Sequence, residues 1–472
     1  MLMAACFVGL TLLPDLRGPN TPLFLLLFLA AAGGYIFEIL LLKRDHLSLK
    51  SIFGFAILFR LILLFSSPSL SDDVYRYIWD GYLLNRGINP YQFPVNSPAL
   101  DAFTTPLRSL VNHSWMATPY QPVAQLVFGA VEWIMPQSPK AFQLTALVFD
   151  LLAGWLLSDL LGRFGLPKKN VLIYLWNPLV IIEFAHGAHI DSLMIFLTLL
   201  AVWLLVKDAG RKRPGSPGSA LVLAAAGLTK LIPIFLVPIF WWRWTWKDRL
   251  LFGAALIGVM GLFSWNAGLG LMGPLDGTGV MGAVRIYLAH WQFNSGIHHW
   301  LQVWIAGFQT SGAIPLDLDG RAPFTIARAI SSSLLGFSIL LTGGLAWKMT
   351  RTDQDSDPGK NLKLIRLALV PLGAYLLLTS TVHPWYVAFV IPFLPFFFPA
   401  DDKKPRTQYY AIPWIYFSIA VAFSYLAYLD PDDFREIPWV RLLEYIPLYG
   451  LLIWTVLASG IGIRKPGPIP SN

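Results

Sequence analysis

Apolar runs that approach the length of a bilayer-spanning helix recur along the whole chain, and no other feature constrains its fold as strongly. A transmembrane helix needs about 20 mainly apolar residues, and residues 21–42, 51–68 and 250–265 are of this kind. Of the 472 residues, 56% are hydrophobic and 13% are charged, whereas soluble domains carry about 25% charged residues. The sequence therefore predicts an all-α polytopic membrane protein.

Short basic segments between the apolar runs indicate how the chain crosses the membrane. Lys and Arg concentrate in cytoplasmic loops, and this rule gives about 12–14 transmembrane helices with nearly every basic cluster on one side. The formal net charge of +8 is therefore a topology signal, and no nucleic-acid partner is expected. The single cysteine, Cys6, excludes an intrachain disulfide and a cysteine-based metal cluster.

The predicted arrangement is one integral membrane domain over residues 1–472. Its three parts are the N-terminal spans (1–50), a core (51–398) and the C-terminal spans (399–472). The core carries two long non-cytoplasmic loops, residues 69–138 and 266–323. Residues 120–134 of the first loop are apolar but short and close to prolines, so we interpret them as an interfacial helix rather than a span.

The first loop opens with the polar stretch SDDVYRYIWDGYLLNRGINPYQFP, residues 71–94. Helical periodicity places its aromatic residues on one face and Asp73, Arg76 and Asp80 towards the other. This pattern predicts an amphipathic helix lying on the membrane, with the paired acids Asp72 and Asp73 at its start. The alternative is an ordinary interfacial helix with aromatic anchors and solvated charges.

Residues 219–242 form an apolar run that is unlike a simple span. Basic residues flank it on both sides, so a single crossing would violate the charge bias, and Gly227, Lys230 and Pro233 interrupt its centre. Two short helices that meet near the far leaflet agree better with these features. Because a broken helix is tolerated at membrane depth only against protein or a water-filled cavity, Lys230 is a candidate site residue.

Seven of the eight histidines fall on the predicted non-cytoplasmic side. Their spacings match no zinc motif of a helix face, apart from the pair His186 and His189, so no metal site is predicted. Adjacent acids can bind a divalent ion, but Asp72 and Asp73 point apart on most backbones, and no cofactor is expected. Ionisable groups at a membrane rim are nevertheless functional by default.

The polar blocks occur in a recognisable order. They read SDDVYRYIWDG, TPYQPVAQLVF, YLWNPLVIIEFAHGAHIDSL, GLTKLIPIFLVPIF, HWQFNSG and HPWY. This order resembles the GT-C class of membrane glycosyltransferases over roughly residues 51–398. It is similar in particular to bacterial polyprenyl-phosphate-mannose-dependent mannosyltransferases and, more distantly, to the catalytic subunit of the glycosylphosphatidylinositol mannosyltransferase. The family often has Gly-His-Asn-Asp where this chain has Ala188-His189-Ile190-Asp191.

The resemblance implies a GT-C-like helical bundle that transfers a hexose, with mannose expected, from a polyprenyl-phosphate sugar. The acceptor is a lipid or glycan hydroxyl, the anomeric carbon is inverted, and membrane lipids are further partners. The expected location is the bacterial plasma membrane, as a multi-pass protein with its active site facing outward.

Such a transfer needs a base that takes the proton of the acceptor hydroxyl, and cations or hydrogen-bond donors that hold the leaving phosphate. The family's first-loop acid corresponds to Asp73, the expected base, with Asp72 second. Their adjacency is expected to raise the pKa of one carboxyl. The candidates for the donor phosphate are Lys230, His383 and Arg76. The candidates for the sugar or acceptor are His189, Asp191, Asn294, Trp79 and Trp385.

Two other classes are weighed against a transferase. A polytopic secondary transporter, or a flippase of a lipid-linked or small polar substrate, would also have many spans, broken helices and buried charge. It should show an internal repeat and ionisable groups near the midplane, and neither is clear here. A non-catalytic lipid-binding protein would leave the paired acids without a role. Nucleotide-sugar enzymes are disfavoured because the sequence has no Gly-rich dinucleotide fingerprint.

Overall fold

The computed structural model of the chain describes residues 1–42, 46–208, 215–266, 268, 277–310, 321–351, 358–399, 407–430 and 433–461. These ranges are almost entirely helices and turns, and the one β-type pairing among them is an isolated bridge between Phe293 and Thr381. The all-α polytopic architecture predicted from the sequence is confirmed.

Twenty α-helices occur in the described ranges. The first ten are α1 (Leu2–Thr11), α2 (Thr21–Leu41), α3 (Leu49–Leu63), α4 (Asp73–Leu84), α5 (Pro122–Ile134), α6 (Pro139–Arg163), α7 (Leu172–Leu175), α8 (Pro178–Ile181), α9 (Asp191–Asp208) and α10 (Pro217–Gly227). The others are α11 (Val237–Trp241), α12 (Trp246–Asn266), α13 (Gly282–His290), α14 (Ile297–Thr310), α15 (Ala322–Arg351), α16 (Pro358–Arg366), α17 (Leu369–Leu378), α18 (Pro384–Val387), α19 (Ile412–Ala420) and α20 (Pro438–Ile461).

Seven helical segments in the described part of the chain are long and apolar enough to cross a membrane. They are Gly18–Leu41, Pro139–Arg163, Trp246–Trp265, Ala322–Arg351, Asn361–Leu378, Thr407–Tyr428 and Pro438–Ala458. An eighth results if Pro178–His186 and Asp191–Asp208, which are bent by 118°, count as one span. The sequence pattern predicted about 12–14 spans. The difference lies in apolar runs that fold into helices too short to cross a membrane, such as α1 and α10.

A buried ion pair joins α3 to α6 inside the main core. Arg60 and Asp150 have fully buried side chains, and Arg60 Nε lies 2.5 Å from Asp150 Oδ2. Tyr174 donates to the other carboxylate oxygen at 2.6 Å, and Arg60 also donates to the carbonyl of Leu175 at 2.9 Å. Because each charge has polar partners, the pair tolerates burial. It fixes α3, the helix that leads to the paired acids.

The helices α4 and α5 of the first loop pack closely along each other. Gly81 makes this contact possible, since a Cβ atom there would lie 2.4 Å from the carbonyl oxygen of Phe128. Tyr77 stacks on the ring of Phe128 with centroids 4.5 Å apart. These contacts hold α4 and α5 together.

The charged face of α4 is not solvated, contrary to the amphipathic pattern. Arg76 and Asp80 are each only 1% exposed. The segment between α4 and α5 folds back over this face, and Arg76 donates to the carbonyls of Asn112, His113 and Met116 at 2.7, 2.9 and 3.2 Å. Helical periodicity alone predicted that these charged side chains face solvent. The irregular loop that buries them has no apolar periodicity of its own.

Candidate active site

The paired acids point in different directions at the start of α4. Asp72 forms an ion pair with Arg17, whose Nη1 lies 3.2 Å from Oδ1. The Asp73 side chain is 19% exposed and turns towards the protein, where the Asn112 amide donates to Oδ1 at 3.0 Å. On the other side, Nδ1 of His189 lies 3.9 Å from Asp73 Oδ2. The two carboxylates thus have separate partners.

The two acids also differ in acidity. Burial raises the pKa of Asp72, and the nearby Arg17 only partly opposes it. Burial alone would raise the pKa of Asp73 as well, but His189 and the Asn112 amide outweigh it and hold the pKa below its ordinary value. The expectation of one raised pKa therefore holds for Asp72 and not for Asp73. Asp73 is ionised at neutral pH, as a general base must be.

A sharp turn between α8 and α9 brings His189 to Asp73 and Asp191 to Lys230. The helix changes to a π-helical turn at Ile182–His186. A Cβ atom at Gly187 would lie 2.7 Å from the carbonyl oxygen of Glu183 and 2.8 Å from the His189 ring, so the turn requires glycine there. Ala188 then has a φ of 58°, a left-handed value that L residues rarely adopt.

Lys230 lies at the break that the sequence predicted within residues 219–242. The helix α10 ends at Gly227 and a 3-10 helix follows at Ile232–Leu236. The Lys230 ammonium lies 2.6 Å from Asp191 Oδ1, and the side chain is 21% exposed whereas Asp191 is almost fully buried. It also lies 4.4 Å from the ring centroid of Tyr386. Asp191 thus anchors the Lys230 ammonium, which stays partly exposed to solvent.

His383 completes the group from the C-terminal half of the chain. Its ring stacks on Trp385 at 4.4 Å, and His189 stacks on the same indole at 4.1 Å. Burial lowers the pKa of His383 to about 3, with Lys230 adding to the effect and Asp73 opposing it. The ring is therefore neutral at pH 7. No described residue hydrogen-bonds to its Nδ1.

We call this group the Asp73 cluster. Its members are Asp73, Asn112, His189, Asp191, Lys230 and His383. Four elements far apart in sequence deliver an ionised carboxylate, an accessible ammonium and two imidazoles to one place. The described residues contain no group of three or more His, Cys, Asp or Glu arranged to hold a metal ion. The chemistry available is base catalysis together with the binding of an anionic group.

Other residues expected at the site have their side chains elsewhere. Arg76 is bonded to backbone carbonyls, and Trp79 is 2% exposed and stacks on Tyr82 at 5.8 Å. Asn294 donates to Glu444 at 2.6 Å, in a separate polar group. Trp385 packs against the Asp73 cluster without being one of its members: it is only 6% exposed and its indole contacts both imidazoles. Its geometry is that of a packing residue.

Three partners of the expected site residues were missed at the sequence level. Asn112 bonds to Asp73, Arg17 pairs with Asp72, and Glu183 lies 3.3 Å from the His189 ring. Asn112 and Arg17 carry no local signal, because both reach their partners through tertiary folding. Glu183 carried a local signal, because an acid inside an apolar run is uncommon and indicates a buried partner.

Comparison with known sequences gives matches to one kind of enzyme. A family model described as "Alpha-(1->6)-mannopyranosyltransferase, N-terminal domain" matches residues 16–246. That segment contains every member of the Asp73 cluster except His383. Over this segment the chain is similar to bacterial mannosyltransferases.

Individual relatives bear the same description. The chain is 27% identical over 189 residues to alpha-(1->6)-mannopyranosyltransferase A of Corynebacterium glutamicum, covering 38% of this chain and 36% of that protein. It is 26% identical over 422 residues to the protein of the same name from Mycobacterium tuberculosis, covering 78% of this chain and 73% of that protein. No solved structure matches the chain. The predicted resemblance to bacterial mannosyltransferases, and with it the glycosyltransferase class, is confirmed.

Proposed function

We propose that this multi-pass membrane protein transfers mannose from a polyprenyl-phosphate sugar to a hydroxyl of a lipid or glycan acceptor at the non-cytoplasmic face. The observation that carries the proposal is the Asp73 cluster, which combines an ionised carboxylate with an accessible ammonium. Mannose as the sugar rests on the names of the relatives. The lipid phosphate and the outward face rest on the resemblance stated from the sequence.

In the proposed reaction Asp73 takes the proton of the acceptor hydroxyl. The acceptor oxygen attacks the anomeric carbon of the donor, and the bond between that carbon and the phosphate oxygen breaks. Attack opposite the leaving phosphate inverts the anomeric carbon. Asn112 holds Oδ1 of Asp73 at 3.0 Å, so the carboxylate is oriented before the substrate arrives. Positioned base catalysis of this kind contributes about 10²–10⁴-fold to the rate.

The departing phosphate is assigned to Lys230 and His383. Lys230 supplies a positive charge, and charge-assisted hydrogen bonds to phosphate are about twice as strong as neutral ones. His383 supplies a neutral donor, since its lowered pKa keeps it uncharged. His189 and Asp191 lie beside them and are assigned to sugar hydroxyls. The proposal omits Arg76, Asn294, Trp79 and Trp385 from substrate binding because their side chains are engaged elsewhere.

The proposed mechanism uses no metal ion. Asp72, the second acid that could have helped to bind one, is paired with Arg17. Transfer is therefore expected to persist in excess chelator. Loss of activity with chelator, restored by a divalent ion, would contradict this part of the proposal.

The deciding experiment measures sugar transfer in membranes that contain wild type or Asp73→Asn. Labelled polyprenyl-phosphate mannose and polyprenyl-phosphate glucose serve as donors. We expect transfer of mannose by wild type and a loss of about 10²–10⁴-fold in the variant. Glu132→Gln is the matched control, because Glu132 is a buried carboxylate of α5 that bonds to Gln137 outside the cluster.

Two outcomes would contradict the proposal. Unaltered transfer by a folded Asp73→Asn protein would remove Asp73 as the base. Absence of transfer from both donors by folded wild type would favour the transporter alternative, which uptake into proteoliposomes would then test.

A further inference from the structure

Glu183 is a buried acid whose role nothing in the proposed reaction explains. It lies in the π-helical turn before α9 and is 1% exposed. The hydroxyl of Tyr425 donates to its Oε1 at 2.7 Å. Its Oε2 has no hydrogen bond from any described residue but lies 3.3 Å from Nε2 of His189. A carboxylate this deep is costly unless it is paired.

The His189 ring lies between two carboxylates. Nε2 faces Glu183 at 3.3 Å, whereas Nδ1 faces Asp73 at 3.9 Å. Trp385 stacks on the ring with an interplanar angle of 19°, and Gly187 leaves room for its edge. Trp385 therefore packs against one face of the ring, Glu183 faces Nε2, and the proposed base faces Nδ1.

We propose that Glu183 is a positioning residue that holds the imidazole of His189 with Nδ1 directed at Asp73. The partner of one ring nitrogen determines the orientation and the proton position of the other. Tyr425 orients Glu183 in turn, so that a chain of buried contacts leads from Tyr425 to the base. This inference rests on the proposed function, because it treats Asp73 as the base.

The inference predicts the direction in which the pH dependence of transfer changes when Glu183 is replaced. His189 is the strongest of the influences that lower the pKa of Asp73. Glu183→Gln replaces the carboxylate beside Nε2 by an amide, so the ring is held less firmly towards Asp73 and lowers the pKa of Asp73 less. Glu183 lies on the opposite side of the imidazole from Asp73, so its influence on Asp73 is assigned to the ring between them. The pKa of Asp73 is therefore expected to rise in Glu183→Gln.

Other charged and titratable groups surround the two residues and stay in place in this variant. They are Asp72, Arg76, Tyr77, His113, Tyr120, His186, Asp191, Lys230, Tyr287, His383, Tyr425 and Tyr428. Because they are common to wild type and variant, a difference between the two profiles reports on Glu183.

The test compares kcat/KM against pH for wild type, Glu183→Gln and the control Glu132→Gln, each as the full chain in lipid nanodiscs with polyprenyl-phosphate mannose. We expect the acidic limb of the Glu183→Gln profile to move up by about one pH unit and that of Glu132→Gln to coincide with wild type. We also expect kcat to fall about tenfold while KM for the donor changes less than twofold.

A Glu183→Gln protein that transfers mannose with the wild-type acidic limb would overturn the inference while leaving the proposed function intact. If wild type transfers from no lipid donor, the proposed function fails first. The contact itself is then tested by nitrogen NMR of the ring, with the His189 signal assigned through His189→Gln. Unchanged ring signals in Glu183→Gln would contradict the positioning role, and Glu183→Asp replaces this variant if the Gln protein does not fold.

Discussion

Asp72 and Asp73 show how two identical neighbours acquire different chemistry from tertiary contacts. Successive residues of a helix project roughly 100° apart, so one acid meets Arg17 and the other meets Asn112 and His189. The sequence identified the pair, and the family resemblance proposed Asp73 as the base. It could not show which acid would be the more acidic, because all three partners lie elsewhere in the chain.

Lys230 offers a prediction at the same scale. We expect Lys230→Ala to raise KM for the polyprenyl-phosphate donor at least tenfold, since a hydrogen bond to a charged group is worth about 1.5–3 kcal/mol. KM for the acceptor should change less than twofold. Steady-state kinetics with each substrate varied in turn measures both.

Lys230→Arg is the matched variant, because it keeps the charge. Partial recovery of donor binding in Lys230→Arg would support a phosphate contact. Equal losses for donor and acceptor in Lys230→Ala would instead indicate a structural role for the ion pair with Asp191.

At the scale of elements, interruptions of helices could be predicted from the sequence more readily than the burial of a helix face. The charge bias around residues 219–242 predicted two short helices, and the structure has α10 and a 3-10 helix with Lys230 between them. The enclosure of α4 was not predictable from periodicity, because the residues that cover Arg76 belong to an irregular loop. The π-helical turn before His189 left no pattern in the sequence either.

The backbone of the turn before α9 is strained at Ala188, and a substitution there tests this. Ala188 has a φ of 58°, which costs an L residue about 1–2 kcal/mol, and the family that the chain resembles often has glycine there. We expect Ala188→Gly to stabilise the protein by about 0.5–1 kcal/mol, since the greater freedom of glycine in the unfolded chain offsets part of the gain. Thermal unfolding in detergent, followed by fluorescence, measures the change.

Ala30→Gly is the matched control, because Ala30 lies within the regular helix α2. The same substitution there should lower stability by about 1 kcal/mol. A loss of stability in both variants would show that the backbone at Ala188 is not strained.

At the scale of the whole molecule, the site depends on more of the chain than the segment that the family model matches. The match ends at residue 246, yet His383 and its stacking partner Trp385 come from beyond it. A parallel bridge between Phe293 and Thr381 holds the second loop beside this segment. The N-terminal half alone is therefore not expected to form a complete Asp73 cluster.

The proposed orientation in the membrane can be tested with single cysteines. Ala102 is exposed in the segment that covers α4, on the side of the Asp73 cluster, and Lys168 is exposed beyond the opposite end of α6. We expect a membrane-impermeant maleimide to label Ala102→Cys on intact cells and Lys168→Cys only after permeabilisation. Cys6 is 4% exposed, so we expect the maleimide not to label it. The reverse labelling pattern would place the cluster on the cytoplasmic side.

The pair of Arg60 and Asp150 has a consequence for how the protein is made. The two residues are separated by 90 positions, so α3 leaves the ribosome well before α6. Until then α3 exposes an arginine whose insertion at the centre of a bilayer costs about 2.5–3.5 kcal/mol. We therefore expect α3 to reach its final position only when α6 supplies the neutralising carboxylate. On this argument the docking of α3 onto α6 precedes the ordering of the loop that carries Asp73.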